Sequence, residues 1–328
     1  FVWSTVTYLM GYADSFQELY WLRALMGISE ALYIPSALSL IADWHQGKSR
    51  SLAIGIHMTG LYVGQAVGGF GATIAATFSW HSTFHWFGII GIAYSLILMF
   101  ALRENPAHNI KKTNIPINNT EKKISLFSGL SVLFSTWAFW IILFYFAAPS
   151  LPGWATKNWL PTLFSETLNI PMSEAGPIST ITIAVSSFIG VIVGGILSDR
   201  WVQKNIRGRV YTGAIGLGMT IPALMLLGFG ESFMAVVGAG LLFGIGFGIF
   251  DANNMPILCQ FISAKYRGTA YGIMNMTGVF AGAAVTEQLG KWTDGGNLGI
   301  GFALLSIVVL VALLLQVYFL RPRTDNME

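Results

Sequence analysis

The stretch "RSLAIGIHMTGLYVGQAV", Arg50–Val67, returns further along the chain as "RGTAYGIMNMTGVFAGAAV", Arg267–Val285. Both copies read Arg-x-x-Ala-x-Gly-Ile, then Met-Thr-Gly, then Gly four residues on, then Val, with one extra residue in the second copy. Each copy opens a long apolar run directly after a basic segment, so the two runs point the same way. A parallel duplication of a multi-helix half is an architecture of membrane transporters. This pair therefore predicts two similar halves rather than a string of unrelated helices.

Working outward, the apolar runs keep coming. They fall near 17–43, 51–77, 82–103, 127–150, 175–198, 210–229, 233–257, 269–290 and 299–320, most of them close to the ~20 residues a membrane helix needs. Turn or charge signals such as "YADSFQ", "DWHQGKSR", "GFGES" and "DGGN" separate them. Phe1–Tyr12 is apolar but about half a span long, and the expectation is a chain that begins inside a helix, making about ten spans in all. Composition agrees: 54% of the 328 residues are hydrophobic and only 10% charged, against about 25% charged in soluble domains. Mean hydropathy is +0.63. The predicted class is an all-α polytopic membrane protein.

Charge placement orients it. Fifteen of the eighteen Lys and Arg residues fall on one side: Lys48, Arg50, Arg103, Lys111, Lys112, Lys122, Lys123, Arg200, Lys204, Arg207, Arg209, Lys265, Arg267, Arg321 and Arg323. By the positive-inside rule that side is cytoplasmic, and with it the C-terminus, in the cell (inner) membrane. The expected organisation is an N-terminal half 1–103, a polar cytoplasmic linker 104–125, a C-terminal half 126–321 and a tail 322–328. The one cysteine, Cys259, excludes an internal disulfide framework.

Three local patterns add a family. "GGILSDRWVQKNIRGR" (Gly194–Arg209) resembles the G-x-L-x-D-R…G-R loop between the eighth and ninth helices of the major facilitator superfamily. "WLPTLF" (Trp159–Phe164) with the later "EAG" resembles its seventh-to-eighth helix connection. "RALMGISEALYIPSALSLIADW" (Arg23–Trp44) resembles the fourth helix of its anion:cation symporters and of spinster-like lysolipid transporters, which carry Arg and, seven residues on, Glu. The resemblance implies a two-times-six-helix fold lacking its first two helices here. It also implies secondary transport by alternating access. At the place of the antiporters' Gly-Pro-x-x-Gly-Gly the chain reads Gly64-Gln65-Ala66-Val67-Gly68-Gly69, with Gln for Pro, which weighs against efflux.

The chemistry then reads as follows. Seven helical residues turn through about 700°, so Arg23 and Glu30 share one stripe, about 10.5 Å apart along the axis. A charge facing lipid costs at least ~2.5–3.5 kcal/mol, so the stripe should face a cavity. Arg23 would hold an anion, since guanidinium grips carboxylate or phosphate bidentately, and the resemblance to the anion:cation symporters, which carry sugar acids and other organic anions, implies that this anion is a sugar acid. Glu30 would carry a coupled proton, because a carboxyl group in a low-dielectric cavity takes up a proton more readily than in water. The competing reading is an ion pair that locks the helix to a neighbour.

Lys157, with Asn158 and Trp154, would supply a second cation from the other half, in a segment where Pro149, Pro152 and Gly153 should break or kink the helix. Tyr62, Gln65 and Asn275, on the repeated helices, would select the substrate, while His57 reads as a packed residue. Asp199, Arg200 and Arg209 would form the latch that the resemblance assigns to that loop. Asp43 with Arg50, and Asp251 with Arg200 or Arg267, would pair at the cytoplasmic gate.

No G-x-x-x-x-G-K-[ST] marks an ATP-driven pump, and no His, Cys or Asp cluster marks a metal site or a membrane enzyme. No cofactor is expected. The expected partners are an anionic small molecule, a proton or other cation and membrane lipids, with no nucleic acid, and the protein would act as a monomer. A lysolipid transporter or a proton-coupled efflux transporter is the close alternative. A channel or receptor is the distant one, because Arg23 and Glu30 have no counterpart near Gly240–Phe247, where a ring of selectivity residues would repeat.

Overall fold

The computed structural model describes residues 1–44, 48–102, 126–263 and 266–322. Among them there is no strand, and the helices run α1 (Val2–Met10), α2 (Phe16–Glu30), α3 (Tyr33–Trp44), α4 (Lys48–Gly68), α5 (Phe70–Thr77), α6 (Trp80–Ala101), α7 (Leu126–Ser135), α8 (Trp137–Leu168), α9 (Met172–Val202), α10 (Gly208–Phe229), α11 (Phe233–Phe261), α12 (Arg267–Asp294) and α13 (Leu298–Phe319). Six of these, α6, α8, α9, α10, α11 and α13, are long and apolar enough to cross a membrane. The chain is a multi-pass, all-α membrane protein. The expected linker 104–125 and the tail from residue 323 lie outside the described residues. By contacts the chain divides into two units: Phe1–Gly64 with Phe70–Lys122, and Gln65–Gly69 with Lys123–Glu328.

Four sequence expectations need correction. The run 17–43 is two helices, broken at Ala31–Leu32. Pro35 has no N–H to give the Ala31 carbonyl, a loss that costs nothing in the first turn of a helix, and α3 starts afresh two residues before it. The run 51–77 is likewise broken, at Gly69, between α4 and α5. The run 127–150 divides at Thr136, which is extended (φ −91°, ψ 112°), between α7 and α8. Most plainly, Pro149, Pro152 and Gly153 do not end a helix: α8 continues through all of them, and through Pro161, to Leu168.

A proline forfeits one hydrogen bond, and tertiary packing outweighs that loss here. Pro149, Pro152, Gly153, Ala155, Leu160, Leu163 and Phe164 are all buried. The helix ends instead at Asn169, which takes the left-handed conformation (φ 51°, ψ 41°), followed by Pro171 as the N-cap of α9. "WLPTLF" is thus helical, and the connection to the next helix is Asn169–Pro171.

In the second unit the glycines explain the packing. A Cβ at Gly194 of α9 would lie 2.7 Å from the Ile249 Cα, and one at Gly248 of α11 would lie 3.0 Å from the Gly190 Cα. The backbones of α9 and α11 therefore touch, the close approach that drives helix association where lipid removes the hydrophobic effect. "GIGFGIF" is accordingly a packing surface. Around it Phe139, Tyr145, Phe164, Phe243, Phe250 and Phe302 are fully buried. In the first unit α1 packs on α6, with Gly88 against the Tyr8 backbone, and few residues are buried: Ser4, Val6, Met10, Ala13 and Thr83 among them.

Candidate functional site

The first unit carries the Arg–Glu stripe on α2. Its start is fixed by a reciprocal cap: Ser15 Oγ accepts from the Glu18 N–H at 3.2 Å, and the Glu18 carboxylate accepts from the Asp14 N–H at 2.9 Å. That cap sets the register that puts Arg23 in the middle of the helix and Glu30 at its last residue. No residue of α2 is buried, and both Arg23 and Glu30 are exposed. Among the described residues neither makes a hydrogen bond or an ion pair, so the structure gives no support to a pair that locks α2 to a neighbour. Past the break, Tyr33 makes an edge contact with Trp3 (5.2 Å) and a tilted one with His57 (5.7 Å). The His57 Nε2 is buried without a hydrogen-bond partner among the described residues. His57 is a packed residue of α4, and Tyr62, one helical turn and a residue further, is half-buried.

In the second unit Lys157 and Asn158 are exposed on α8. The Lys157 ammonium lies over the Trp154 ring, 5.0 Å from its centroid, a cation–π contact. Trp154 in turn covers Gly282 of α12, the last glycine of the repeated motif. Asn158 Nδ2 donates to Thr286 Oγ1 at 2.8 Å and Trp159 Nε1 donates to the Thr286 carbonyl at 3.1 Å, so both tie α8 to α12. Asn158 is thus engaged in joining helices. Asn275 is half-buried on α12. Gln65, half-buried at the end of α4, groups with this unit, where Thr180 Oγ1 donates to the Ala66 carbonyl at 3.2 Å.

The expected pairing of Asp251 with Arg200 or Arg267 is not found among the described residues. Asp199 and Arg209 meet at 3.5 Å, while Arg200 is exposed and, among the described residues, unpaired. Arg267 turns away from Asp251: its Nε donates to the Ile262 carbonyl and its Nη2 to the Cys259 carbonyl, each at 3.0 Å. These belong to the last turn of α11 and the residue after it, whose carbonyls have no helical partner. A guanidinium there also meets the negative end of the helix dipole. Asp251 instead accepts from Asn254 Nδ2 at 3.1 Å. The side chains of Asp43 and Arg50 lie outside the described residues.

One arrangement went unpredicted. The loop after α9 is held by main-chain acceptors: Gln260 Nε2 donates to the Ile206 carbonyl at 3.1 Å, Arg207 Nη2 donates to the Val317 carbonyl, and Gln316 Nε2 donates to the Val210 carbonyl at 2.6 Å. Its signal in the sequence was a lone Gln in each of two apolar helix ends, "ILCQF" and "LLLQVYF".

A family model described as Major Facilitator Superfamily matches residues 1–286. The chain is similar to a protein named probable anion transporter 3, chloroplastic, of Oryza sativa subsp. japonica, at 26% identity over 93% of this chain and 62% of the relative. It is similar to probable anion transporter 6, chloroplastic, of Arabidopsis thaliana, at 28% identity over 90% of this chain and 59% of the relative. It is also similar to sodium-dependent phosphate transport protein 1, chloroplastic, of Arabidopsis thaliana, at 24% identity over 94% and 63%. The chain thus spans less than two thirds of the length of these relatives. Among solved structures it resembles a bacterial homolog of the human lysosomal transporter Spinster, inward-facing and occupied, with a TM-score of 0.74 at 18% identity, covering 99% of this chain and 81% of that one. At that identity the match speaks for the fold.

Proposed function

We propose, starting from the fact that the chain belongs to the Major Facilitator Superfamily, that it serves as a non-enzymatic secondary transporter of a small organic anion, a sugar acid, carried together with a proton. The observation that carries the reading is the open stripe on α2: Arg23 and Glu30 on one face, both exposed and, among the described residues, neither paired. An unpaired guanidinium in a transporter helix is a ready site for a carboxylate or phosphate. A carboxyl group seven residues along it is placed to hold the proton that offsets the anion's charge. The names of the relatives, which refer to anions and to phosphate, support the anion class. The charge asymmetry of the loops supports a cytoplasmic C-terminus in the cell membrane.

The test is uptake of labelled sugar acids into proteoliposomes under an imposed inward proton gradient, for the wild type and Glu30→Gln. Accumulation in the wild type that falls to exchange without accumulation in Glu30→Gln is the expected result. Equal accumulation in both removes Glu30 from coupling. Transport of phosphate but not of sugar acids replaces the substrate class, and transport of neither moves the reading to lysolipid or efflux.

A further inference from the structure

The second unit contains an ionisable side chain that this mechanism leaves unused. Asp251 sits in "FGIFDANN", inside the apolar helix α11, and is exposed. Its carboxylate is oriented by Asn254, and among the described residues no basic side chain reaches it for an ion pair. Arg267, its expected partner, is bound to carbonyls.

The helix geometry shows what it faces. The Phe247 ring lies against Gly153, where a Cβ would come within 2.7 Å of it. Tyr145 touches Phe250 (5.1 Å) and Phe164 lies near Gly240. Residue numbers thus rise along α8 as they fall along α11, and the two helices are antiparallel. Lys157 is one turn from Gly153 on α8 and Asp251 is one turn from Phe247 on α11, each displaced about 6 Å along its axis. The two therefore flank the Phe247 ring from opposite ends. Helical side chains lean towards their own N-terminus, which in antiparallel helices brings the two groups back towards each other. The ammonium resting over Trp154 shows that lean directly.

We infer that Asp251 is a specificity-determining residue. Its carboxylate is the resident counter-charge of Lys157, and an incoming anion must compete with it for that cation. This rests on the proposal that the protein binds an organic anion. Asp251 holds the affinity of the C-terminal half down, and more so for each further negative charge the ligand carries. The device favours monoanions over dianions and keeps the pair of side chains close to neutral when no anion is bound. It suits a carrier, which must release what it binds.

The experiment is calorimetric titration of the purified full chain in detergent with gluconate, which has one carboxylate, and glucarate, which has two. In Asp251→Asn the Kd for gluconate should fall about threefold. The electrostatic work scales with ligand charge, so the Kd for glucarate should fall by the square of that, about tenfold. Asp251→Glu should keep the wild-type values. Lys157→Gln should weaken both ligands, glucarate more, and this arm holds even where Asp251→Asn folds poorly. A change in Asp251→Asn that is equal for the two ligands, or a loss of binding to both, overturns the inference while leaving the anion reading intact. Binding of neither ligand by the wild type overturns both.

Discussion

Replacing Arg267 with methionine separates two roles for this side chain, gate partner or helix cap. The structure gives it two hydrogen bonds of 3.0 Å, to the Cys259 and Ile262 carbonyls at the end of α11. Hydrogen bonds from a charged donor contribute about 1.5–3 kcal/mol each where the acceptor is otherwise unpaired. The favourable charge at the helix C-terminus adds roughly 0.3–1 kcal/mol. Part of this is recovered because Arg267 is half-buried and water can reach a vacated carbonyl. The expected loss is about 3 kcal/mol, or on the order of 5–10 °C in the melting temperature of the detergent-solubilised protein, with the scale taken from soluble domains. Methionine keeps the aliphatic stem, so lost packing contributes little. The decisive measurement is a double-mutant cycle with Asp251→Asn, read by thermal unfolding. Since the structure gives Arg267 and Asp251 no shared bond, the two effects should add to within about 0.5 kcal/mol. A coupling above about 1 kcal/mol would show that the two residues pair, and the capping argument would fall.

Three further outcomes follow from packing. Tyr145 is 1% exposed and its hydroxyl has no hydrogen-bond partner among the described residues, so Tyr145→Phe should stabilise the protein by about 1–2 kcal/mol, seen as a raised melting temperature; a lowered one would mean that the hydroxyl is bonded in solution. Gly278→Ala should destabilise by about 1–3 kcal/mol, because its Cβ would meet Phe146 Cε1 at 2.6 Å and Ser150 Oγ at 2.9 Å. Its counterpart in the first copy, Gly60, has nothing within 4 Å among the described residues, so Gly60→Ala should leave the melting temperature unchanged or slightly raised.

What the sequence made legible was whatever depends on periodicity, composition or repetition. The apolar runs, the duplicated motif, the basic loops and the packing role of "GIGFGIF" could be read because each is a property of neighbouring residues. The breaks at Ala31–Leu32 and Gly69 left only a proline or a glycine as a trace inside runs apolar enough to be read straight through. The prolines of α8 misled in the other direction. Their local cost was visible, while the burial of Pro149, Pro152 and Leu160 that outweighs it depends on helices far along the chain. The partners of Arg267 and Asp251 were misassigned for a related reason. Matching charges by nearness in sequence neglects main-chain carbonyls, which take up a guanidinium as readily as a carboxylate does. Lys157 and Asp251 come from different helices, and only the antiparallel register of α8 and α11 reveals that they flank one ring.

The anchors of the loop after α9 carry a consequence for how this chain can vary. Gln260, Arg207 and Gln316 all donate to carbonyls, of Ile206, Val317 and Val210. A carbonyl is supplied by any residue that occupies the position. The dependence is therefore one-sided: the donors are fixed by their chemistry, while the acceptor positions are free to drift among residues of similar bulk. A search for paired substitutions would pass over this loop, because a change at 206, 210 or 317 requires no compensating change at 260, 316 or 207. Saturation mutagenesis would find it at once, as three intolerant polar positions facing three permissive apolar ones.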